Sequence, residues 1–444
     1  MRIEKPYLTL LTILPILTYL VFFKTEALWW AIILFTPLSI NLEEYLNDQL
    51  GLFIPTEIIL ALFFILTPLY FLKYPPEKKF LQHPISIIVL LMLSWGLLTS
   101  ITSEQVFVSI KNWVSRTWYV LPLFYLGSKI LNTTQKKERV LLLYTISFSV
   151  VVLYTFLRLY MNGFPEKASQ WLMQPFFKDH TILGAALGLT IPYVYMKVFE
   201  QPIKTGPKAF WILGAILFTL VLIFTYSRAA ILSLVIAAAV YFIARLKISL
   251  RVIYSFLAVA SILLVINRQT LINQLSQNKA ESSDQVVENI ESISNITTDA
   301  SNVERINRWN SALEMWKERP VFGWGPGTYQ FNYAPFQNSN DLTIISTNFG
   351  DVGNAHSEVL GALAESGLPG AIFMVLFILF VIFFGYKNIP LTTGKDKLVL
   401  TSSLLGFIAY FAHGMLNNFL TSDKAAVPVW IFALIIILYD IKNN

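Results

Sequence analysis

Three places in this sequence carry residue types whose chemistry goes beyond packing. The first is Thr225-Tyr226-Ser227-Arg228, which interrupts two long apolar runs. Arg228 is a permanent planar cation whose fork matches phosphate oxygens; at the edge of an apolar run it is either an anion site or a snorkelling anchor. The second is Glu304-Arg305-Ile306-Asn307-Arg308-Trp309. Residues three and four apart are neighbours on a helix, so positions 305, 308, 309 and 312 share one face. Two arginines and a tryptophan there suit a diphosphate and a stacked sugar, with a solvated basic face as the plainer alternative. The third is Asn354-Ala355-His356-Ser357-Glu358, followed by Ala364-Glu365-Ser366-Gly367-Leu368-Pro369-Gly370. With Asn354 as N-cap, a short helix is expected from His356 to Ser366, ended by Gly367. His356 then stands in the first turn, where the helix dipole and nearby arginines disfavour imidazolium. A neutral imidazole there can take a proton from a hydroxyl as a general base; a capping histidine is the plainer alternative. Asp351 and Glu358 are competing carboxylate bases. His180 is a weaker candidate, and His83 and His413 lie at other span ends without a matching context.

The elements that position these residues are membrane helices. The chain has 444 residues, 55% of them hydrophobic and 14% charged, against about 25% charged in soluble domains. Apolar runs long enough to cross a bilayer recur from end to end. Lipid leaves no partner for open backbone groups, so the fold is helical or a closed barrel. The runs lack the two-residue alternation of barrel strands. The expectation is therefore an all-α polytopic membrane protein. Spans are expected near 7–23, 27–40, 55–72, 84–101, 113–131, 140–160, 181–199, 209–226, 229–246, 250–267, 368–386, 398–418 and 426–441. That gives about twelve to thirteen crossings, the short 27–40 run being the open one. The first run lacks a small-residue cleavage site and reads as a retained span.

Lysines and arginines fall in alternate links: Lys73 to Lys79, Lys129 to Arg139, Lys197 to Lys208, Arg245 to Arg251 and Lys387 to Lys397. The positive-inside bias makes that side cytoplasmic, although Arg2 and Lys5 conflict with thirteen crossings. One long polar segment, 268–367, then lies outside. Its first third, Gln269 to Ser301, reads as a weakly helical arm; its Asn295-Ile296-Thr297 triplet is a weak match to a glycosylation acceptor. Asn302 to Arg319 reads as an amphipathic helix with Val303, Ile306, Leu313 and Trp316 on its apolar side. Gly323-Trp324-Gly325-Pro326-Gly327 is a tight turn region, and Pro369 suits the first turn of the following span. The organisation expected is N-terminal spans over 1–208, a core over 209–386 that includes the loop 268–367, and C-terminal spans over 387–444.

Several function classes drop out. The net charge of +6 is a consequence of the basic links, so nucleic acid is not an expected partner. There are no cysteines, hence no disulfide framework and no thiol chemistry. No phosphate-binding Gly-x-x-x-x-Gly-Lys motif, His-Glu-x-x-His motif or outer Asp-x-Asp pair occurs, which points to chemistry without a cofactor or metal.

Taken in order, these pieces resemble the O-antigen ligase and polymerase family of bacterial membrane glycosyltransferases. The similarity runs from about Phe210 to Gly370. It rests on Tyr226-Ser227-Arg228-Ala229-Ala230, Arg305-Ile306-Asn307-Arg308-Trp309, Pro320-Val321-Phe322-Gly323-Trp324-Gly325-Pro326-Gly327 and Ala355-His356-Ser357-Glu358, leading to Glu365-Ser366-Gly367-Leu368-Pro369-Gly370. The family pattern has Asn after the loop histidine, where this chain has Ser357. The resemblance implies transfer of a glycan from undecaprenyl pyrophosphate to an acceptor hydroxyl on the periplasmic face of the inner membrane, with inversion and without metal. A ligase uses a lipid A-core acceptor, a polymerase another glycan repeat, and a protein hydroxyl is a third option. His356, Arg305 and Arg228 are the expected catalytic residues, with Arg308, Trp309 and Tyr226 binding substrate. The rival from another class is a transporter of lipid-linked oligosaccharide, which needs charges inside its spans; here the polar chemistry gathers in one outer loop.

Overall fold

The computed structural model describes residues 23–42, 52–199, 205–246, 300–339 and 353–444, with residues 15, 19 and 342. Most of the expected span 7–23, all of 250–267, the arm up to residue 299 and Asp351 lie outside these residues. The described chain is helical apart from one two-residue ladder, β1 (Ile40–Asn41) against β2 (Phe53–Ile54), antiparallel with Ile40 opposite Ile54. Its main helices are α1 (Thr25–Phe35), α2 (Thr56–Lys73), α3 (Pro84–Ile101), α4 (Val106–Val120), α5 (Thr134–Met161), α6 (His180–Phe199), α7 (Thr205–Phe224), α8 (Arg228–Arg245), α9 (Ala300–Glu318), α10 (Glu358–Asn388), α11 (Gly394–Gly414) and α12 (Asp423–Asn443). Among the described residues, eight helices are long and apolar enough to cross a membrane. The protein is thus an all-α, multi-pass membrane protein.

Two of the expected spans take unexpected forms. The 27–40 run holds only the 11-residue α1, about 16 Å of helix against a hydrocarbon core of roughly 30 Å. α1 begins beside Lys136, and its continuation through Thr36 and Ser39 reaches Lys424, so irregular backbone completes the traverse. That backbone is buried in protein and not exposed to lipid, because the Lys424 ammonium donates to the Thr36 and Ser39 carbonyls at 2.6 and 2.7 Å. The 113–131 run is also not one regular helix. α4 starts at Val106, and at Pro122 the chain passes into a π-helical stretch, Leu121–Leu126. The Pro122 carbonyl accepts a bond from the Trp29 indole at 2.9 Å.

The bundle has two distinct ends. At one, Lys197 pairs with Glu138, Lys395 reaches the same carboxylate, Lys442 pairs with Asp396, and Lys387 and His83 meet Asp440. This end gathers the basic links. The opposite ends of those same helices carry His180 (α6), Glu358 (α10), His413 (α11) and Asp423 (α12). α11 and α12 form the centre, with 89% of their apolar windows buried, whereas α8 is largely peripheral at 17%. Lipid gives apolar helices little reason to associate, so close packing through small residues carries the contact. At Gly184 of α6 an added Cβ would stand 2.8 Å from the Ala230 Cβ, and at Gly406 of α11 it would stand 2.5 Å from the Leu189 carbonyl. These two contacts bring the starts of α6 and α8, and the end of α11, to the same end of the bundle.

Candidate active site

The three sequence regions lie at the end away from the basic links. α7 stops at Phe224 and α8 starts at Arg228, with Tyr226 between them in the left-handed region at φ 52°. The break is fixed from both sides. The His180 Nδ1–H donates to the Thr225 carbonyl at 2.6 Å, and the Tyr226 hydroxyl donates to the Phe164 carbonyl at 3.1 Å. Phe164 is itself left-handed, at φ 56°. Tyr226, expected to bind substrate, therefore has its hydroxyl engaged within the protein. Ser227 is the N-cap of α8, which places the half-buried Arg228 at the first helical position, where backbone N–H groups also point outward.

α9 matches the expected helix, but its buried side differs. The apolar spacing suggests Val303, Ile306, Leu313 and Trp316 as the inner face, yet these are only half-buried. The buried residues are Glu304, Asn307, Arg308, Ser311, Ala312 and Met315. A polar inner face is stable because every member finds a partner. Arg308 Nε donates to Glu304 at 2.6 Å, Arg308 Nη1 donates to the Asn354 carbonyl at 3.2 Å, and its guanidinium lies 4.8 Å from the centre of the Tyr333 ring. Asn307 accepts from the Asn338 amide at 2.8 Å. The Trp309 indole donates to the His356 carbonyl at 3.3 Å. Arg308 and Trp309 thus grip the loop that carries His356, a bracing role that the one-face argument did not distinguish from substrate contact. Arg305, one residue round the helix and half-buried, is felt electrostatically at both His356 and His413.

His356 is not in the first turn of a helix. It sits just outside, at φ 46°, and the N-cap is Ser357, whose Oγ accepts from the Leu360 amide at 3.3 Å. Asn354 is not the cap; its Oδ1 accepts from the His356 amide at 3.0 Å and forms the turn before it. Ser and Asn are both strong N-caps, which explains why Ser357 serves where the family pattern has Asn. A non-glycine residue in the left-handed region costs on the order of 1–3 kcal/mol and persists only where its surroundings hold it. Here Asn354, Arg308 and Trp309 do so. Burial, then the charges of Arg305 and Arg308, push the His356 imidazole down to about 4. The neutral ring is thus favoured, by burial and arginine charge and not by a helix dipole.

The short helix ends at Gly367 as expected: that residue is non-helical (φ 67°, ψ −172°), and α10 is two helices joined across the kink, the second being the span. A side chain at Gly367 would put its Cβ 2.0 Å from the Val321 carbonyl. Around this bend the turn region 320–327 pairs with α10. The Trp324 amide donates to Ala364 at 3.0 Å, Gly325 to Glu365 at 2.8 Å, and the Leu368 amide to Pro320 at 2.9 Å. The glycine-rich turn is therefore scaffold, docking α9 on α10. Glu358, one of the competing bases, accepts from the Tyr410 hydroxyl (2.6 Å) and from the Phe419 and Leu420 amides (2.8 and 3.1 Å). With one carboxylate oxygen taking all three bonds, the buried Glu358 serves as a structural acceptor.

His413, set aside in the sequence, belongs to the site. Asn417 lies between it and His356, 3.4 Å from each ring. Asp179 and His180 at the start of α6 contribute to the same field. The pairing His413-x-x-x-Asn417 at the end of a span was the available signal. His83, by contrast, sits at the opposite end beside Asp440. The site takes residues from all three expected segments of the chain.

Residues 213–375 match the family described as O-antigen ligase. A curated protein of Haemophilus influenzae, described as an uncharacterized protein, is 26% identical over 124 residues, 28% of this chain and 30% of that protein. The family match contains Arg228, Arg305, Arg308, Trp309 and His356. Over that segment the chain is similar to the O-antigen ligase family.

Proposed function

We propose that this protein is an O-antigen ligase, which moves a glycan from undecaprenyl pyrophosphate to a sugar hydroxyl of lipid A-core at the periplasmic face of the inner membrane, with inversion and without metal. The observation that supports this reading is a buried histidine under the charge of the α9 arginines, at the same end of the bundle as Arg228 of α8. The leaving group is a pyrophosphate, on which negative charge grows as the glycosidic bond breaks. Arg228 and Arg305 stabilise that charge, and preorganised cations act strongly where water is excluded. His356 takes the proton from the attacking hydroxyl. A donor anchored in lipid accounts for a site built on the ends of membrane helices. The basic links at the other end make that other side cytoplasmic, which puts the site outside.

The test is a product assay with the purified protein, lipid-linked glycan as donor and lipid A-core as acceptor. Glycosylated lipid A-core supports the ligase; longer lipid-linked chains would instead identify a polymerase of the same family. His356→Ala and Arg305→Ala should each abolish transfer while expression stays near normal, and wild-type product from either variant overturns the assignment of the site.

A further inference from the structure

Resting on the reading of His356 as general base, we propose that Asn417 and His413 are positioning residues that set which His356 nitrogen is free to accept the proton. Asn417 follows α11 and presents Oδ1 to His356 Nδ1 at 3.4 Å and Nδ2 to His413 Nε2 at 3.4 Å. A neutral imidazole has one donor and one acceptor nitrogen. His413 is fully buried in the last turn of α11. Its Nε2 accepts from the Asn417 amide group, which turns the amide oxygen to His356. An amide oxygen only accepts, so the His356 proton sits on Nδ1 and Nε2 is left bare. With the amide reversed, the proton would move to Nε2 and the ring could not act as a base from that side. An orienting group behind a catalytic histidine serves the same end in hydrolytic triads.

The carrier of Asn417 is held rigidly. Glu358, two residues after His356, binds the Phe419 and Leu420 amides, and the Phe419 ring stacks on His413 with centres 5.8 Å apart. The loop with the base and the loop with its orienting amide are thus tied through one carboxylate. In the reaction, the acceptor oxygen bonds to the anomeric carbon as its proton passes to His356 Nε2. The anomeric C–O bond breaks, and its electron pair leaves on the pyrophosphate oxygen. The charged groups facing His356 are Arg305 and Arg308 of α9 and Asp179 ahead of α6; His413 faces Arg305, Asp179 and His180.

The experiment measures kcat and donor KM across pH for the purified full chain, with undecaprenyl-pyrophosphate-linked O-antigen as donor and lipid A-core as acceptor. Asn417→Leu should lower kcat roughly ten- to a hundredfold with donor KM unchanged. Asn417→Asp keeps an acceptor on His356 and adds a negative charge, so it should stay active with the acid limb of kcat moved up by about one pH unit. His413→Leu should lower kcat, and His413→Gln, whose side-chain oxygen can accept from Asn417, should restore most of it. Wild-type kcat in Asn417→Leu, or an unmoved pH profile in Asn417→Asp, overturns the inference. If Asn417→Leu does not accumulate, Asn417→Asp and the His413 pair decide. His356→Ala separates the two levels: at the wild-type rate it removes the base reading and this inference with it. An inactive His356→Ala beside unaffected Asn417 and His413 variants removes only the inference.

Discussion

The two ends of the helix bundle use the same residue types in different proportions. At the basic end, carboxylates are matched to cations: Glu138 to Lys197 and Lys395, Asp396 to Lys442, Asp440 to Lys387 and His83. At the site end, the two carboxylates Glu358 and Asp179 are engaged by backbone and hydroxyl groups instead. Glu358 takes Tyr410, Phe419 and Leu420, and Asp179 caps α6 through the Thr181 and Ile182 amides at 2.8 and 3.1 Å. Others there do face cations: Glu304 faces Arg308, Glu365 faces Arg116, Glu104 faces Arg319 and Asp423 faces Lys424. Arginine charge is still felt at His356. The difference teaches that a charge count does not locate a site; what matters is whether each carboxylate faces a cation or a peptide group.

The largest expected break in this comparison is His356→Ala, which should lower turnover by about a hundredfold or more, the usual worth of a general base. Glycan transfer with membrane levels checked by blot measures it. Next come the two arginines of α9, which should separate. Arg305→Ala should remove transfer at normal expression. Arg308→Ala leaves Glu304 buried without its cation, which typically costs about 3–5 kcal/mol, so it should lower the amount of folded protein as well; thermal stability in detergent distinguishes the two. Gly367→Ala should also destabilise, because its Cβ would meet the Val321 carbonyl at 2.0 Å in a left-handed residue.

A subtler effect is in the pH profiles. In the free enzyme burial and the α9 arginines hold His356 down to about 4, so the base form persists to low pH and kcat/KM should fall only near pH 4. A bound pyrophosphate offsets the arginine field and raises the imidazole, so the acid limb of kcat should lie at higher pH than that of kcat/KM. Coincident limbs would break the link between the arginines and the base. The smallest effect belongs to the basic end. Lys442 is 54% exposed, and an exposed pair contributes at most about 1 kcal/mol. Lys442→Ala should leave transfer and stability nearly unchanged, and a loss of transfer would show that the two ends are coupled.

The sequence by itself determined the helical membrane class and most span positions. A run such as Pro84 to Ile101 is legible because lipid forces every backbone group into the helix, so length and apolarity suffice. It also put Arg228, Arg305 and His356 in one region, since the order of spans brings them to the same end of the bundle. Only the tertiary structure decided the roles within that region. Helical spacing put Arg305, Arg308 and Trp309 on one face, but which of them meets a neighbour depends on the loop 353–356 packing against α9. The N-cap moved from Asn354 to Ser357 because a left-handed His356 is held by contacts from α9, which no local pattern records. The spacing of His413 and Asn417 was legible, but not their tie to His356, which forms only once Glu358 has bound the loop that follows α11. Local propensity and solvent fix the elements; the side-chain partners that turn a histidine into a base come from residues distant in the chain.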